Sequence, residues 1–415
     1  MRGFLASSTG VTCAAALALP FAPPAAATTS SSAPSVTSPT ARPETYAPGG
    51  TQSLALAPLA HDRAPGAAEQ GLPRRDVRHF SLVGVVWDNP ATELHGRAEV
   101  RTRATATGAW SGWRELETHN ADHAADPGTP ESTSGRVRGA TAPLWVGESD
   151  GVEVRVRAED APAAARTAPA VPRLPTGLRL ELVDPGEDAP PPANRARSEA
   201  TEPAVLPAGQ KTRPHAGPRP RITTRHGWGA DEKLRQKGFV YTKKVKAAFV
   251  HHSDTGNNYR CSQAPSVIRG IYRYHVKSMG WRDLGYNFLV DKCGNVYEGR
   301  AGGVSKPVLG AHTLGFNSNS TGIAVLGTYS SKKPSSAALK AIARLTAWKV
   351  GLYGMNPRGK TYLKSGGGNL YPKGRKVRLN VISGHRDGFA TNCPGKRLYA
   401  KLGTARAKAA AYQGR

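Results

Sequence analysis

Between Val381 and Gly395 the chain reads Val-Ile-Ser-Gly-His-Arg-Asp-Gly-Phe-Ala-Thr-Asn-Cys-Pro-Gly. A strand-like apolar run delivers His385, and eight residues later comes Cys393, followed at once by Pro394 and Gly395. An imidazole and a thiolate can share one zinc ion, but two donors leave the shell incomplete. A third has to come from a distant segment, and the fold must bring that segment here. Lys246-Ala-Ala-Phe-Val-His-His-Ser253 is a second apolar run, with His251 at its C-terminal end. A His/His/Cys set with one position left for water is the pattern of a catalytic zinc, not of a structural one.

The compartment is suggested by the other end of the chain. Arg2 precedes an apolar stretch from Val11 to about Ala22, and Ala25-Ala26-Ala27 offers a cleavage site, so residues 1–27 read as an export signal. Cys13 could suggest a lipid anchor, but Thr12 before it fits that poorly. No later segment reaches the roughly 18 apolar residues of a membrane span. The mature chain is therefore expected to be secreted and wall-associated, with no transmembrane segment, as a monomer. It keeps Cys261, Cys293 and Cys393, which allow three pairings; if Cys393 holds metal, Cys261 and Cys293 are left to pair. The net charge of +27 is uneven: residues 1–220 hold 22 Lys+Arg against 23 Asp+Glu, and residues 221–415 hold 35 against 7. Such a field is either a solvated surface or an attractor for polyanions. Outside a cell the polyanion would be an anionic cell-wall polymer rather than nucleic acid.

Taken in order, residues 28–75 are rich in Ala, Pro, Ser and Thr and read as a disordered linker. Residues 76–184 change to short alternating runs such as Gly151-Val-Glu-Val-Arg-Val-Arg157, the signature of a small all-β, sandwich-like accessory domain. Gly147-Glu-Ser-Asp-Gly151 matches the nucleophile elbow of serine hydrolases. A strand-like run comes after it where that motif needs a helix, so it reads as a hairpin turn. Trp110 and Trp113 could stack on sugars, but core positions are favoured. Residues 185–220 form a Pro/Arg-rich linker. Residues 221–415 then mix strands with helices, giving an α/β domain with a mixed central sheet flanked by helices. A helix is expected over about 262–276 with Pro265 in its first turn, a hairpin turns near Lys292–Asn295, and a second helix runs over 335–350. His275 on the first helix is read as packed. Residues 355–376 look like a Gly- and Lys-rich excursion, and Asn319-Ser-Thr matches a glycosylation sequon.

Six motifs over residues 221–412 resemble one family. They are Arg225-His-Gly-Trp-Gly-Ala, Val250-His-His-Ser, Gly280-Trp-Arg-Asp-Leu-Gly-Tyr-Asn-Phe, Val296-Tyr-Glu-Gly-Arg, Gly310-Ala-His-Thr-Leu-Gly-Phe-Asn-Ser-Asn-Ser, and Gly384-His-Arg-Asp with Cys393-Pro-Gly. The segment is similar to the zinc amidases of the peptidoglycan recognition protein family, the type-2 N-acetylmuramoyl-L-alanine amidases. The resemblance implies a single zinc ion on His251, His385 and Cys393; His252 is read as either supporting these ligands or structural. It implies catalytic roles for Tyr286 and Thr391, and substrate-binding roles for His312 and Asn317. The implied substrate is peptidoglycan, through its muramyl peptides. Members that bind without cutting lack the cysteine, often carrying serine there, so Cys393 favours hydrolysis over the alternative of a non-catalytic recognition protein. A metal held this way would act as a Lewis acid and activate water at an amide. No H-E-x-x-H glutamate is present, so Tyr286 is expected to donate to the developing oxyanion and Thr391 to help position it. Nothing comparable covers residues 28–220. Their module could target the wall, act as a pro-region or serve as a spacer, and targeting is slightly favoured.

Overall fold

A computed structural model describes residues 49–59, 69–118, 120–159, 173–187 and 215–415. The expected export signal and most of the 185–220 linker lie outside the described residues. Strands of the first sheet are β1 (Thr51–Ala55), β2 (Ala57–Pro58), β3 (Glu69–Trp87), β4 (Gly96–Ala104), β5 (Arg114–Leu116), β6 (Gly139–Ala140), β7 (Leu144–Ala158) and β8 (Arg179–Val183). All pairings are antiparallel, in the order β1-β8-β3-β7-β4-β5, with β2 and β6 also on β3. The alternation works as read: Val152, Val154 and Val156 are fully buried, while Glu153, Arg155 and Arg157, each following one of them, are not. The strands make one continuous hydrogen-bonded sheet, bent where β3 shifts register at Leu72/Arg75, Asp76/Phe80 and Phe80/Leu82.

Three readings of this half need correction. Strands β1, β2 and the start of β3 fall inside the stretch 28–75 read as linker, with Thr51 pairing Val183. Their apolar residues are diluted by Ala and Pro, and Pro73 sits at a bulge, where a missing N–H costs no ladder bond. Gly147–Gly151 is neither elbow nor hairpin turn but part of β7, where Ser149 faces Phe80 and its hydroxyl donates to Gly147 O at 3.0 Å. Trp110 and Trp113 are half-buried rather than core. Arg74 lies 4.9 Å over Trp110, and Arg101 and Arg155 lie 4.8 and 4.2 Å over Trp113.

The second sheet holds β9 (Ala247–His252), β10 (Phe288–Val290), β11 (Val296–Glu298), β12 (Ser320–Val325) and, after a hairpin of β13 (Lys360–Lys364) with β14 (Lys376–Asn380), β15 (Ile382–Gly384). Its order is β11-β10-β12-β9-β15, parallel throughout except for β11. Around it stand the helices α1 (Ala264–Arg273), α2 (Ser336–Gly351), α3 (Lys396–Tyr399) and α4 (Leu402–Tyr412). Ala248, Val250, Ile323 and Val325 face α2 and α4, whose Ile342, Leu345, Leu402 and Ala405 complete that core. Ser335 caps α2 by accepting from Ala338 N at 3.0 Å. The period of two in β9 sends His251 to the opposite face. The 355–376 excursion is the β13–β14 hairpin, and Leu363, Val377 and Leu379 press its apolar side on Phe249 and Phe316. Cys261 and Cys293 form the expected disulfide, tying the approach to α1 to the β10–β11 turn.

The two sheets do not hang on linkers. Leu82, Val86, Trp145 and Val183 of the first share one core with Val267, Ile268 and Ile271 of α1. The Tyr274 hydroxyl donates to Thr141 O at 3.0 Å, and Trp145 N donates to Thr255 O at 3.0 Å. A Cβ on Gly84 would lie 2.3 Å from the Tyr274 hydroxyl, so this position has room only for glycine.

Candidate metal centre

Strands β9 and β15 are neighbours and parallel, so their C-terminal ends open at the same sheet edge, the usual place for ligands in open α/β sheets. His251 is the penultimate residue of β9, His385 opens the turn after β15, and the loop beyond folds back to place Cys393 beside them. All three are buried. His251 Nδ1 lies 3.8 Å from Cys393 Sγ, close to the roughly 3.6 Å edge that tetrahedral zinc sets between a nitrogen and a sulfur. The outer nitrogens are held: Thr313 Oγ1 is 3.4 Å from His251 Nε2, and His385 Nε2 is 3.1 Å from Asp122 O. That leaves His385 Nδ1 buried without a hydrogen-bond partner. An orphaned imidazole nitrogen, a free buried thiol and matching donor spacing fit a zinc ion, and such outer contacts orient metal-binding imidazoles.

A fourth donor stands in the same cluster, and sequence reasoning missed it. His123 comes from the first sheet's β5–β6 connection, and its Nε2 is 3.6 Å from Cys393 Sγ. The ligand atoms of His123, His251, His385 and Cys393 all lie within 4.8 Å of one another. Asp122 sits behind them, its Oδ1 2.7 Å from His123 Nδ1 and its Oδ2 3.8 Å from His385 Nδ1. The only signal was an Asp-His pair in a polar loop, far from every other ligand in sequence.

Burial favours the neutral form of His251 and His385, the form a metal ligand needs. Burial, then His385 and the other imidazoles nearby, push His251 well below its ordinary value. Burial brings His385 down to about 3 although Asp122 pulls the other way. Burial opposes ionisation of Asp122, but His123 and His385 more than offset it and its pKa falls. The Cys393 thiol is pushed well up by burial and then Asp122, so loading a cation here must release a proton. Tyr286 is buried with its ring 5.5 Å from His251 and 5.8 Å from His123. Burial, then Cys393, raise its pKa well above the usual range, so its hydroxyl keeps its proton and can donate. Thr391 Oγ1 accepts from Cys393 N at 3.1 Å and the hydroxyl faces Asp122.

The remaining expected residues lie deeper than their assignment suggests. His312 is fully buried, its ring 5.3 Å from His251 and its Nδ1 3.0 Å from Thr313 Oγ1. Asn317, also fully buried, accepts from His312 N and Thr313 N at 2.7 and 3.0 Å, and donates to Ala124 O and Asp126 Oδ1 at 3.0 and 2.7 Å. His252 turns away and accepts from Tyr329 N at 3.2 Å. His275 packs on Trp281 with ring centres 4.6 Å apart and accepts from Gly285 N.

Comparison with known proteins puts names to both halves. Residues 241–396 match the family described as N-acetylmuramoyl-L-alanine amidase, and residues 24–173 match one described as Rv3811 N-terminal galactose-binding domain-like. Peptidoglycan-recognition protein SC2 of Drosophila simulans is 33% identical over 185 residues, 44% of this chain and 85% of the relative. The chain belongs to the peptidoglycan-recognition protein family through its C-terminal part. A human N-acetylmuramoyl-L-alanine amidase is 33% identical over 195 residues, 45% of this chain but 28% of that protein. Among solved structures, Drosophila PGRP-LB matches 44% of this chain and 93% of its own at 26% identity, with a TM-score of 0.36.

Proposed function

We propose that this protein is a secreted, zinc-dependent N-acetylmuramoyl-L-alanine amidase that hydrolyses the amide between the lactyl group of muramic acid and L-alanine of the stem peptide. The observation that carries the reading is the convergence of His251, His385 and the free thiol of Cys393, with Tyr286 beside them. In it His251, His385 and Cys393 hold the metal, which when bound supplies Lewis acidity and activates water. Tyr286, kept protonated by burial, donates a hydrogen bond to the carbonyl oxygen as negative charge develops there. Thr391 fixes the Cys393 backbone and so the thiolate. Water adds its oxygen to the lactyl carbonyl carbon, the C–N bond breaks, and the alanine nitrogen leaves as an amine after taking up a proton. The basic surface of residues 221–415 draws the chain to muropeptide carboxylates and anionic wall polymers. Among the described residues no helix is long and apolar enough to cross a membrane.

The decisive assay incubates peptidoglycan and zinc with the full chain and with His123→Ala, then measures new amino-terminal alanine. Release by either protein, abolished together with zinc content in Cys393→Ala, is the expected result. No release by either would sink the amidase reading.

A further inference from the structure

We infer that His123 is a fourth protein ligand to this metal centre and that the segment around it closes the amidase groove, so that the full chain is held latent by its own N-terminal module. The inference rests on the zinc amidase reading above and assigns the module, favoured on sequence as a targeting device, an inhibitory role.

Three sets of contacts carry it. First, His123 is presented as a ligand would be: Nε2 faces Cys393 Sγ at 3.6 Å while Nδ1 lies 2.7 Å from an Asp122 carboxylate oxygen, a close charge contact behind the imidazole. With three donors from the amidase sheet, a fourth occupies the position an open catalytic site keeps for water or substrate.

Second, residues 122–126 lie on the 312–317 loop as a bound peptide would. Leu314 N donates to Asp122 O at 2.9 Å, and Asn317 Nδ2 donates to Ala124 O. Asp126 Oδ1 accepts from Gly315 N at 2.8 Å and from Asn317 Nδ2 at 2.7 Å. Asn317, expected to grip a muropeptide, and the N–H groups of Leu314 and Gly315 beside it are thus already used by the chain's own backbone and one of its carboxylates.

Third, the segment is anchored beyond the groove. The two Glu131 carboxylate oxygens accept from Arg300 Nη1 and Nη2, each at 2.8 Å, and both side chains are buried. Arg138 N donates to Met279 O at 3.1 Å. A lone His123 contact could be accidental, but a ligand, a threaded peptide and a buried bidentate clamp on one loop make a built closure.

A cleft of about 460 Å³, lined by Asp122, His123, Thr391 and Cys393 among others, still reaches the cluster from one side. Small anions therefore have access in the full chain, and their binding reports whether the fourth position is occupied. The test loads cobalt(II) in place of zinc and titrates azide while monitoring the visible ligand-field spectrum, with wild-type chain, His123→Ala and His123→Gln. Expected is no azide response in wild type and a saturable one in both variants, with thermal unfolding still cooperative in each. Azide binding to wild type as readily as to the variants overturns the closure while leaving the metal site standing. Failure of every protein to bind one cobalt overturns the metal reading itself, and the inference with it. A second arm relaxes the clamp instead of the ligand. Asp126→Ala with Glu131→Gln in the full chain should raise kcat/KM on a soluble muramyl tripeptide about tenfold or more, because only the open fraction can bind. A rate equal to or below wild type overturns the proposal.

Discussion

Tyr286 and His123 stand edge to face beside the same cluster, ring centres 5.8 Å apart, and they differ in how far a sequence can reveal them. Tyr286→Phe removes one hydroxyl and little volume. In a chain opened by His123→Ala, turnover should fall by about 10²-fold, the order for losing one oxyanion donor, with metal content unchanged. An unaltered rate would return Tyr286 to a packing role. His251, His385 and Cys393 were legible because each ends an apolar run or sits against Pro-Gly, a local pattern that period and composition expose. His123 had no such frame. It lies 270 residues from Cys393 in a polar loop, and only the docking of two sheets makes it a neighbour. Asn317 illustrates the converse: the motif placed it in the groove, but what occupies it, Ala124 and Asp126, could not be read from it.

Elements with a strong period were the readable ones. Helix α1 with Pro265 in its first turn, the β10–β11 hairpin and the doubly buried β12 all agree with apolar spacing and turn residues. β1 and β2 were hidden because a five-residue edge strand diluted with Ala, Ser and Pro carries little signal. Helix α2 holds a feature that composition conceals. Lys349 is buried, its ammonium donating to Val304 O and Lys306 O at 2.6 and 2.7 Å. Burial brings its pKa down to about 7, with Glu298 opposing only in part. The unfolded chain, with an ordinary lysine near 10.4, then binds more protons than the native state at any pH between these values. Stability contributed by this site therefore rises as pH climbs from about 7 toward 10, the reverse of a paired lysine. Denaturant midpoints measured from pH 7 to 9.5 should rise more steeply for wild type than for Lys349→Met. Parallel slopes would show that Lys349 keeps its charge when folded.

At the scale of the molecule the question is whether the two sheets act as one body. A tethered module would unfold by itself, and composition argued for a tether, since proline-rich stretches flank residues 76–184. Yet the accessory sheet and α1 bury Leu82, Val86, Trp145 and Val183 against Val267, Ile268 and Ile271 in a common core. Exposing either side alone would uncover those side chains, each worth roughly 1.5–3 kcal/mol when buried. It would also strand polar groups whose partners lie across the boundary, among them Arg300, Asn317 and the Ser278 hydroxyl on Glu181. Because buried pairs are screened far less than surface ones, salt should separate the sheets only weakly. Calorimetry of the full chain should therefore show one endotherm with matching calorimetric and van't Hoff enthalpies, still single at high ionic strength. Zinc removal should move that one transition downward as a whole, since a ligand that favours the native state stabilises whatever unfolds with it. Two resolved endotherms, with only the amidase one responding to chelation, would mean that His123 and its loop leave the metal before the sheets unfold.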